Sequence, residues 1–416
     1  MSLPNFTVTI TSGNLDRQAP DADNVAALVL SEASSYLAAS SLDSSIVYSL
    51  KQAEALGLSA ANDATNGYLH YEQVKEFFRE NPNGELHLLF TDGVSMTNLF
   101  GNGSTPGLIE PFIVAANGRI KQLAIMANDN TALTFFTDDL VANSLVDKAQ
   151  AFVERMAALQ KGIDVVFMEG FGFDQSPASI TDLRALGARN VAVVVGKDTV
   201  LAASVTEFNG YAAIGTVLGS STKKQVHESF AWAKDGNSIT SAADERFLSV
   251  GINSDLASPD EYMEDEAAQN ALHDKGYIFP RQFPLRSGFY WNQSNNCVLV
   301  SDDFKNIESI QVINKAVRLV ASVLAPHINE SFNLVTGGRL TEIARQTIVD
   351  EIRTELETNL SNNISSIGSI VVDPAKDSNN EDYPSLIADS TLRAIVGIVP
   401  KGKSEQIILE IGYQPA

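Results

Sequence analysis

Apolar residues alternate with threonines near the start of the chain: Phe6, Val8 and Ile10 against Thr7, Thr9 and Thr11. A period of two with β-branched residues predicts a strand over 6–11. The polar stretch Ser12–Asn24, with Gly13 and Pro20, predicts a linker, which makes this first strand an arm. Helical spacing follows over Val47–Leu58 and Tyr71–Arg79, the latter ending at the turn Asn81-Pro82-Asn83-Gly84. Leu86–Phe90 and Ile120–Met126 predict strands, and Asn143–Leu159 a helix with Leu145, Ala149, Phe152 and Met156 on one face. In the clearest unit, Ile163–Met168 is a continuous apolar strand, Ser176-Pro177 opens a helix that Gly187 closes, and Val191–Gly196 is the next strand. Such a unit makes a right-handed parallel crossover, and uniformly apolar strands imply a sheet covered on both faces. Tyr211–Lys234 predicts a longer helix, and Asp235–Asp274, acidic and Ser/Asn-rich, a surface connection.

Beyond that connection the pattern changes. Ile310, Ile313, Val317, Val320 and Leu324 form one apolar stripe on a helix over Phe304–Leu324. Gly337-Gly338 breaks the chain, and Thr341 caps a second helix reaching Leu360. Strands are expected at Ile367–Val372 and Thr391–Ile398, then a turn at Pro400-Lys401-Gly402. The final strand is Gln406–Tyr413, with Ile407, Leu409 and Ile411 alternating. The fold class is therefore α/β, or α+β overall: an N-terminal α/β domain with a mainly parallel sheet, a C-terminal α+β domain, and strand arms at both ends.

Charge narrows the partners. The 416 residues carry a net charge of −22. A phosphate backbone needs a basic face, so nucleic acid is not expected, nor is an anionic membrane surface. Residues 235–270 hold nine acids and one arginine, Arg246, so about a third of the surplus sits in one stretch. The opening MSLPNFTVTITSGN has neither a basic region nor a long apolar run, so no signal peptide is expected. No apolar run is long enough to span a bilayer. The single cysteine, Cys297, excludes an intrachain disulfide and a four-cysteine zinc site, and a reducing cytoplasm is the default compartment.

Candidate chemistry is thin. Gly101-Asn102-Gly103 with Gly107 has the wrong spacing for a dinucleotide turn, and no lysine follows for a phosphate loop. In an open parallel sheet a ligand would lie beyond the strand C-termini. There the loops Thr91-Asp92-Gly93, Asn128-Asp129, Glu169-Gly170 and Lys197-Asp198 offer acids for a divalent cation, without an ordered calcium pattern. His70, His87, His227, His273 and His327 are scattered, and Cys297 has no neighbour to activate it. A small-ligand or divalent-metal binding protein, or a hydrolase, using that crevice is the alternative function. The two end strands are more informative, because a lone strand edge invites pairing with another chain.

Several blocks resemble a known family. Ala212-Ala213-Ile214-Gly215 with Leu218-Gly219, then Val226-His227-Glu228-Ser229 and Trp232, are similar to the middle of the tail-sheath-like proteins of contractile phage tails, the phage Mu-like type among them. So are Asp274-Lys275-Gly276-Tyr277-Ile278-Phe279, Ile313-Asn314-Lys315-Ala316-Val317-Arg318, Val371-Val372-Asp373-Pro374, Glu410-Ile411-Gly412-Tyr413 and the upstream Phe77–Leu86. They occur in order over most of residues 45–416.

The resemblance implies a structural protein rather than an enzyme, without cofactor or metal. It would polymerise around a tail tube and contract to drive the tube through a target envelope. Implied partners are further copies of itself in a helical polymer, the tail tube protein, and baseplate and tail terminator proteins. Nucleic acid and membrane insertion are not expected. The implied location is the virion tail, assembled in the bacterial host cytoplasm. On this reading residues 1–20 are an arm and linker, 21–240 an outer domain, and 241–264 an acidic connection. Residues 265–405 are then the inner sheath domain and 406–416 a second arm. Phe6, Val8, Ile10, Ile407, Leu409 and Ile411 would link subunits, and Arg345, Glu351, Arg353 and Glu355 would mark a tube-facing helix.

Overall fold

Six short strands build the large sheet: β1 (Ala26–Leu30), β2 (Ser44–Val47), β3 (Leu86–Phe90), β4 (Gln122–Ile125), β5 (Val165–Glu169) and β6 (Val191–Val194). The computed structural model describes residues 23–31, 44–91, 96–102, 105–126, 145–170, 181–205, 208, 210–239, 250–252, 266–376 and 380–405. The spatial order is β2-β3-β1-β4-β5-β6. All neighbours run parallel except β2, which lies antiparallel on β3 with Val47 opposite Leu86. Registers are regular: Ala26 faces Leu86 on one side and Gln122 on the other, and Val166 faces Val191. The chain leaves β1 for β3 on one side and crosses to β4 on the other, so the topological switch lies at β1.

Every residue of β1, β3, β4, β5 and β6 is buried. This follows from coverage of both faces. Helices α1 (His70–Glu80), α2 (Leu145–Ala158) and α3 (Ile214–Thr222) supply it. On one face Ala27, Val29, Leu123, Ile125, Val166 and Val193 pack on Phe152 and Met156 of α2, with Leu272, Tyr277 and Cys297 joining from later in the chain. On the other, Leu28, Leu88, Phe90 and Phe167 pack on Val74 and Phe77 of α1, Val217 and Leu218 of α3, Phe230 and Trp291. The exposed side of β6 is closed by later backbone: Val195 N–H donates to Ile278 O at 2.9 Å, and Cys297 N–H to Val191 O at 2.9 Å. Covering an edge in this way removes a row of unpaired polar groups.

A third core belongs to the C-terminal unit. Helices α4 (Ile307–Leu324) and α5 (Glu342–Asn359) pack on a hairpin of β7 (Ile364–Val372) and β8 (Ala394–Pro400). Val312, Ala316, Leu319, Ile348, Ile352, Leu356, Ile364 and Val372 meet there. Thr341 caps α5 as expected, accepting from Ala344 N–H at 3.3 Å. Residues 272–307 contribute to the two cores of the sheet, so by packing they go with the α/β body.

Several local expectations change. Ala26–Leu30, where no strand is expected after the linker, is a central strand of the sheet; Val47–Leu58 splits into the end of β2 and a helix at Leu50–Ala55 capped by Ser49. The helix expected over Tyr211–Lys234 ends at Thr222, after which the chain turns to bring Phe230 against Phe167 and Trp291. Part of the acidic connection is helical, Glu266–Asp274, held by buried Leu272. On α4 the buried face differs from the expected stripe: Val317 is 61% exposed, whereas Val312, Ala316 and Leu319 are buried. Gln311 and Lys315 share that buried face; of the expected stripe Ile310 is buried and Val320 and Leu324 pack against the third core, so Val317 is the position that departs. Gly187 does end a helical turn, with φ 71°, but the described turn is only Leu183–Leu186; Ser176 and Pro177 lie outside the described residues.

Candidate assembly surface

The crevice beyond the parallel strands is the first place to look for a ligand. At the switch point, Ser31 Oγ donates to Met126 O at 2.7 Å and Thr91 N–H to Leu30 O at 2.9 Å, so the strand ends are tied to each other. His70 Nε2 lies 2.6 Å from Ser31 O, and burial pushes its pKa down to about 4, so the ring is neutral. Glu169 accepts from Ala212 N–H at 2.8 Å, and Asp198 accepts from Val200 and Leu201 N–H at 2.9 and 3.1 Å. Both acids thus serve backbone. The nearby cleft lined by Gln73, Glu76, Asp198, Tyr211 and Thr216 has a volume of ≈ 20 Å³. That is room for one water, far below the few hundred Å³ of a small-molecule site. Asp92, Asn128 and Asp129 lie outside the described residues.

The other chemical candidates are equally engaged in the fold. A Cβ on Gly107 would meet Leu99 O at 2.2 Å, and Gly107 N–H donates to Glu110 Oε1 at 3.2 Å. The same carboxylate takes Arg155 Nε at 2.8 Å. A carboxylate therefore sits on the amide a phosphate would need. Cys297 is fully buried and its thiol is pushed up to about 12, the reverse of a reactive cysteine. Among the described residues, no group of three or more metal-ligating side chains could hold an ion, and no helix is long and apolar enough to cross a membrane. Nothing among the described residues supports the alternative ligand-binding or hydrolase reading.

The C-terminal unit leaves strand edges and an apolar face uncovered among the described residues. The hairpin is a two-stranded sheet, so each strand has an outer edge with no partner strand among the described residues. Ile367, Ile370, Val396 and Ile398 point into the third core, while Val371, Ile395 and Val399 on the opposite face are 42%, 44% and 46% exposed. Register shifts at Ile364/Ser366 and Ile367/Ile370 bend the strands, and Gly368 and Gly397 come together there: a Cβ on Gly368 would lie 3.0 Å from Gly397 O. Asp373 ends β7 in a left-handed conformation (φ 51°) and accepts from Leu340 N–H and Arg339 Nη1, each at 2.8 Å. This bond set ties the hairpin to the loop that starts α5.

The four residues expected to face a tube all lie on α5, but most of their charges are already engaged. Arg345 pairs with Glu342 one turn away, Glu351 accepts from His327 Nε2 at 2.9 Å, and Glu355 accepts from Asn359 Nδ2 at 2.7 Å. Arg353 is half-buried. Glu330 and Glu351, on either side of the His327 ring, raise its pKa. Sequence reasoning missed this His327 bridge, because only Glu330 is a sequence neighbour of the ring and Glu351 comes to it from α5. Phe6, Val8, Ile10, Ile407, Leu409 and Ile411 lie outside the described residues. The segment leading to the second expected arm is anchored: Lys403 Nζ donates to Glu308 Oε1 at 2.6 Å and Gln293 Oε1 at 2.7 Å, and Glu405 meets Lys305 at 3.2 Å.

Three solved structures with this architecture span essentially the whole chain. A chain of the cryo-EM structure of the anti-feeding prophage (AFP) baseplate, six-fold symmetrised, is 14% identical, with a TM-score of 0.55 over 100% of this chain and 99% of its own. A chain of the AFP baseplate in the contracted state is 12% identical, with a TM-score of 0.58 over 99% and 98%. A chain of the sheath complex of PVC, an extracellular contractile injection system, in the contracted state is 12% identical, with a TM-score of 0.53 over 99% and 98%. The tail-sheath-like fold implied by the sequence blocks is thus the fold observed. No curated protein matches the sequence. A family profile described as the DUF2586 N-terminal domain matches residues 3–295, which is most of the chain. The protein therefore belongs to the DUF2586 family.

Proposed function

We propose that this protein is a structural subunit of a contractile sheath, polymerising around a tube and working by a change of packing between copies. The observation that carries the reading is likeness over the full chain, body and C-terminal unit together, to chains of contractile injection systems, one of them a sheath complex. The hairpin supports it: two strands with open edges and an apolar outer face suit strand addition from a neighbour. On this reading Phe6–Thr11 and Gln406–Tyr413 are the linking strands, and other copies, a tube protein and baseplate and terminator proteins are the partners. The polymer belongs to a tail built in the bacterial cytoplasm. The C-terminal unit is the inner, tube-facing part, with the α/β body outside it. On α5, Arg345, Glu351, Arg353 and Glu355 remain the proposed tube-side positions.

The test is electron microscopy of concentrated full-length protein beside truncations lacking residues 1–12 or 405–416. Full-length protein should form rings or sleeves, and each truncation should stay monomeric with a native circular dichroism spectrum. Sleeves of normal appearance from either truncation would remove the arm mechanism, and a full-length protein that stays monomeric at all concentrations would remove the sheath reading.

A further inference from the structure

The seam between the α/β body and the C-terminal unit differs in kind from the cores on either side of it. Among the described residues, Val226 is the one side chain the body contributes to the third core. Beyond it and Ile307, which α4 places in the core of the sheet, the contacts described across the seam are charges and hydrogen bonds. Lys315 and Arg318 project from α4 across the N-terminal ends of β1 and β5. Lys315 Nζ donates to Asp23 Oδ2 at 2.6 Å, and Arg318 donates to Asp23 Oδ1 at 3.2 Å and to Asp164 Oδ1 at 2.8 Å. The Asp164 side chain is 1% exposed, and its other oxygen is buried without a hydrogen-bond partner. Closer to the hairpin, Glu308 takes Ser294 Oγ at 2.6 Å as well as Lys403, and Lys401 Nζ lies 3.2 Å from His227 Nε2.

A polar seam of this type resembles transient rather than obligate interfaces, for which relative motion is the ordinary expectation. The chain enters the C-terminal unit at Asn306–Ile307, and Ile307 stays in the core of the sheet. We propose that the seam is an ionic latch. Lys315 and Arg318 hold the C-terminal unit closed on Asp23 and Asp164, and the unit can swing about Ile307 with both halves folded. Arg318 is the positioning residue, because it is the cation facing the buried Asp164 carboxylate. Without it that charge is buried and unpaired unless the seam opens to water. The latch concerns the single subunit and does not depend on the sheath reading.

Spin labels at Leu159→Cys and Ile343→Cys report the opening, since these positions are 54% and 82% exposed on opposite sides of the seam while Cys297 is buried. The labelled full chain should give one narrow distance distribution. Adding Arg318→Met should move the population of a second, longer distance from a few per cent to about half or more. Adding Asp164→Asn to that variant should bring back the single distance, because no unpaired charge is then left to hydrate. Far-ultraviolet circular dichroism should be the same for all three. Lys315→Met, which leaves Arg318 in place, gives a milder opening if Arg318→Met does not yield folded protein. One unchanged narrow distance in every variant would overturn the latch. So would opening that Asp164→Asn fails to reverse.

Discussion

Gly215 tests whether the contact between α1 and α3 is set by backbone approach. A Cβ added there would stand 2.0 Å from Gln73 O and 2.7 Å from Gln73 C, both backbone atoms that no rotamer change can move. Gly219, one turn on, is pressed against Phe77 O at 2.7 Å in the same manner. Gly215→Ala therefore requires the helices to part by more than 1 Å to reach ordinary contact. The shift breaks a matched pair of bonds: Gly215 N–H donates to Gln73 Oε1 at 2.7 Å, and Gln73 Nε2 donates to Ala212 O at 2.7 Å. Each is worth about 1 kcal/mol, and overpacking adds about 1–3 kcal/mol. Alanine returns about 1 kcal/mol through its helix propensity. The net loss is about 2–4 kcal/mol, which at about 2–4 °C per kcal/mol lowers the melting temperature by about 5–15 °C. Differential scanning calorimetry would read it, with Gly162→Ala as control, since nothing lies within 4 Å of a Cβ at that site. A Gly215→Ala protein as stable as wild type, or more stable, would refute backbone contact as the constraint.

Other expectations follow from the titrating groups and the charge. Neutral His70 takes up its proton near pH 4 when folded and near the ordinary 6.5 when unfolded. The unfolded chain thus binds more protons in that window, and stability is lost as pH falls from 6.5 toward 4. Burial lowers His227 and His273 in the same direction, so denaturant melts against pH should show this acid limb, shallower in His70→Gln. Cys297 should not react with a thiol reagent in the native protein and should react fully in denaturant; fast native labelling would contradict its burial. With a net charge of −22, sleeve formation followed by light scattering should be promoted by added salt, and a steady decline with salt would contradict repulsion between copies as the barrier.

Much of the architecture was legible because both-face burial leaves a plain mark. Leu86–Phe90 was found with its observed bounds, and the Val165–Glu169 and Val191–Val194 strands within two residues. The central strand was missed although its five residues are as apolar as the others, since the polar run before it, which includes the turn at Asp23-Asn24, suggested a linker. On α4 the periodicity picked out Ile310, Val320 and Leu324, which pack inward, but not the polar residues buried beside them. Lys315 is paired with Asp23, from a distant part of the chain. Polar residues on that face therefore read as solvent-facing. Among the described residues, blocks that carried the family resemblance serve packing: Gly215 and Gly219 set a helix contact, and Asp373 ties the hairpin to α5. The expected arms at 6–11 and 407–411 lie beyond the described residues.

The make-up of the seam also bears on how such proteins can be recombined. Two units joined through interdigitated side chains must change together, since each depends on the shape of the other. Here the third core takes one side chain, Val226, from the body, Ile307 of α4 enters the core of the sheet, and the rest of the joint is a short set of charges and hydrogen bonds. A body from one relative could be grafted to the C-terminal unit of another by matching Val226, Ile307, the acids at positions 23 and 164, and the polar partners His227 and Gln293, with little core to redesign. The outer surface could then diversify, or accept an inserted domain, while the unit that carries the hairpin keeps its sequence.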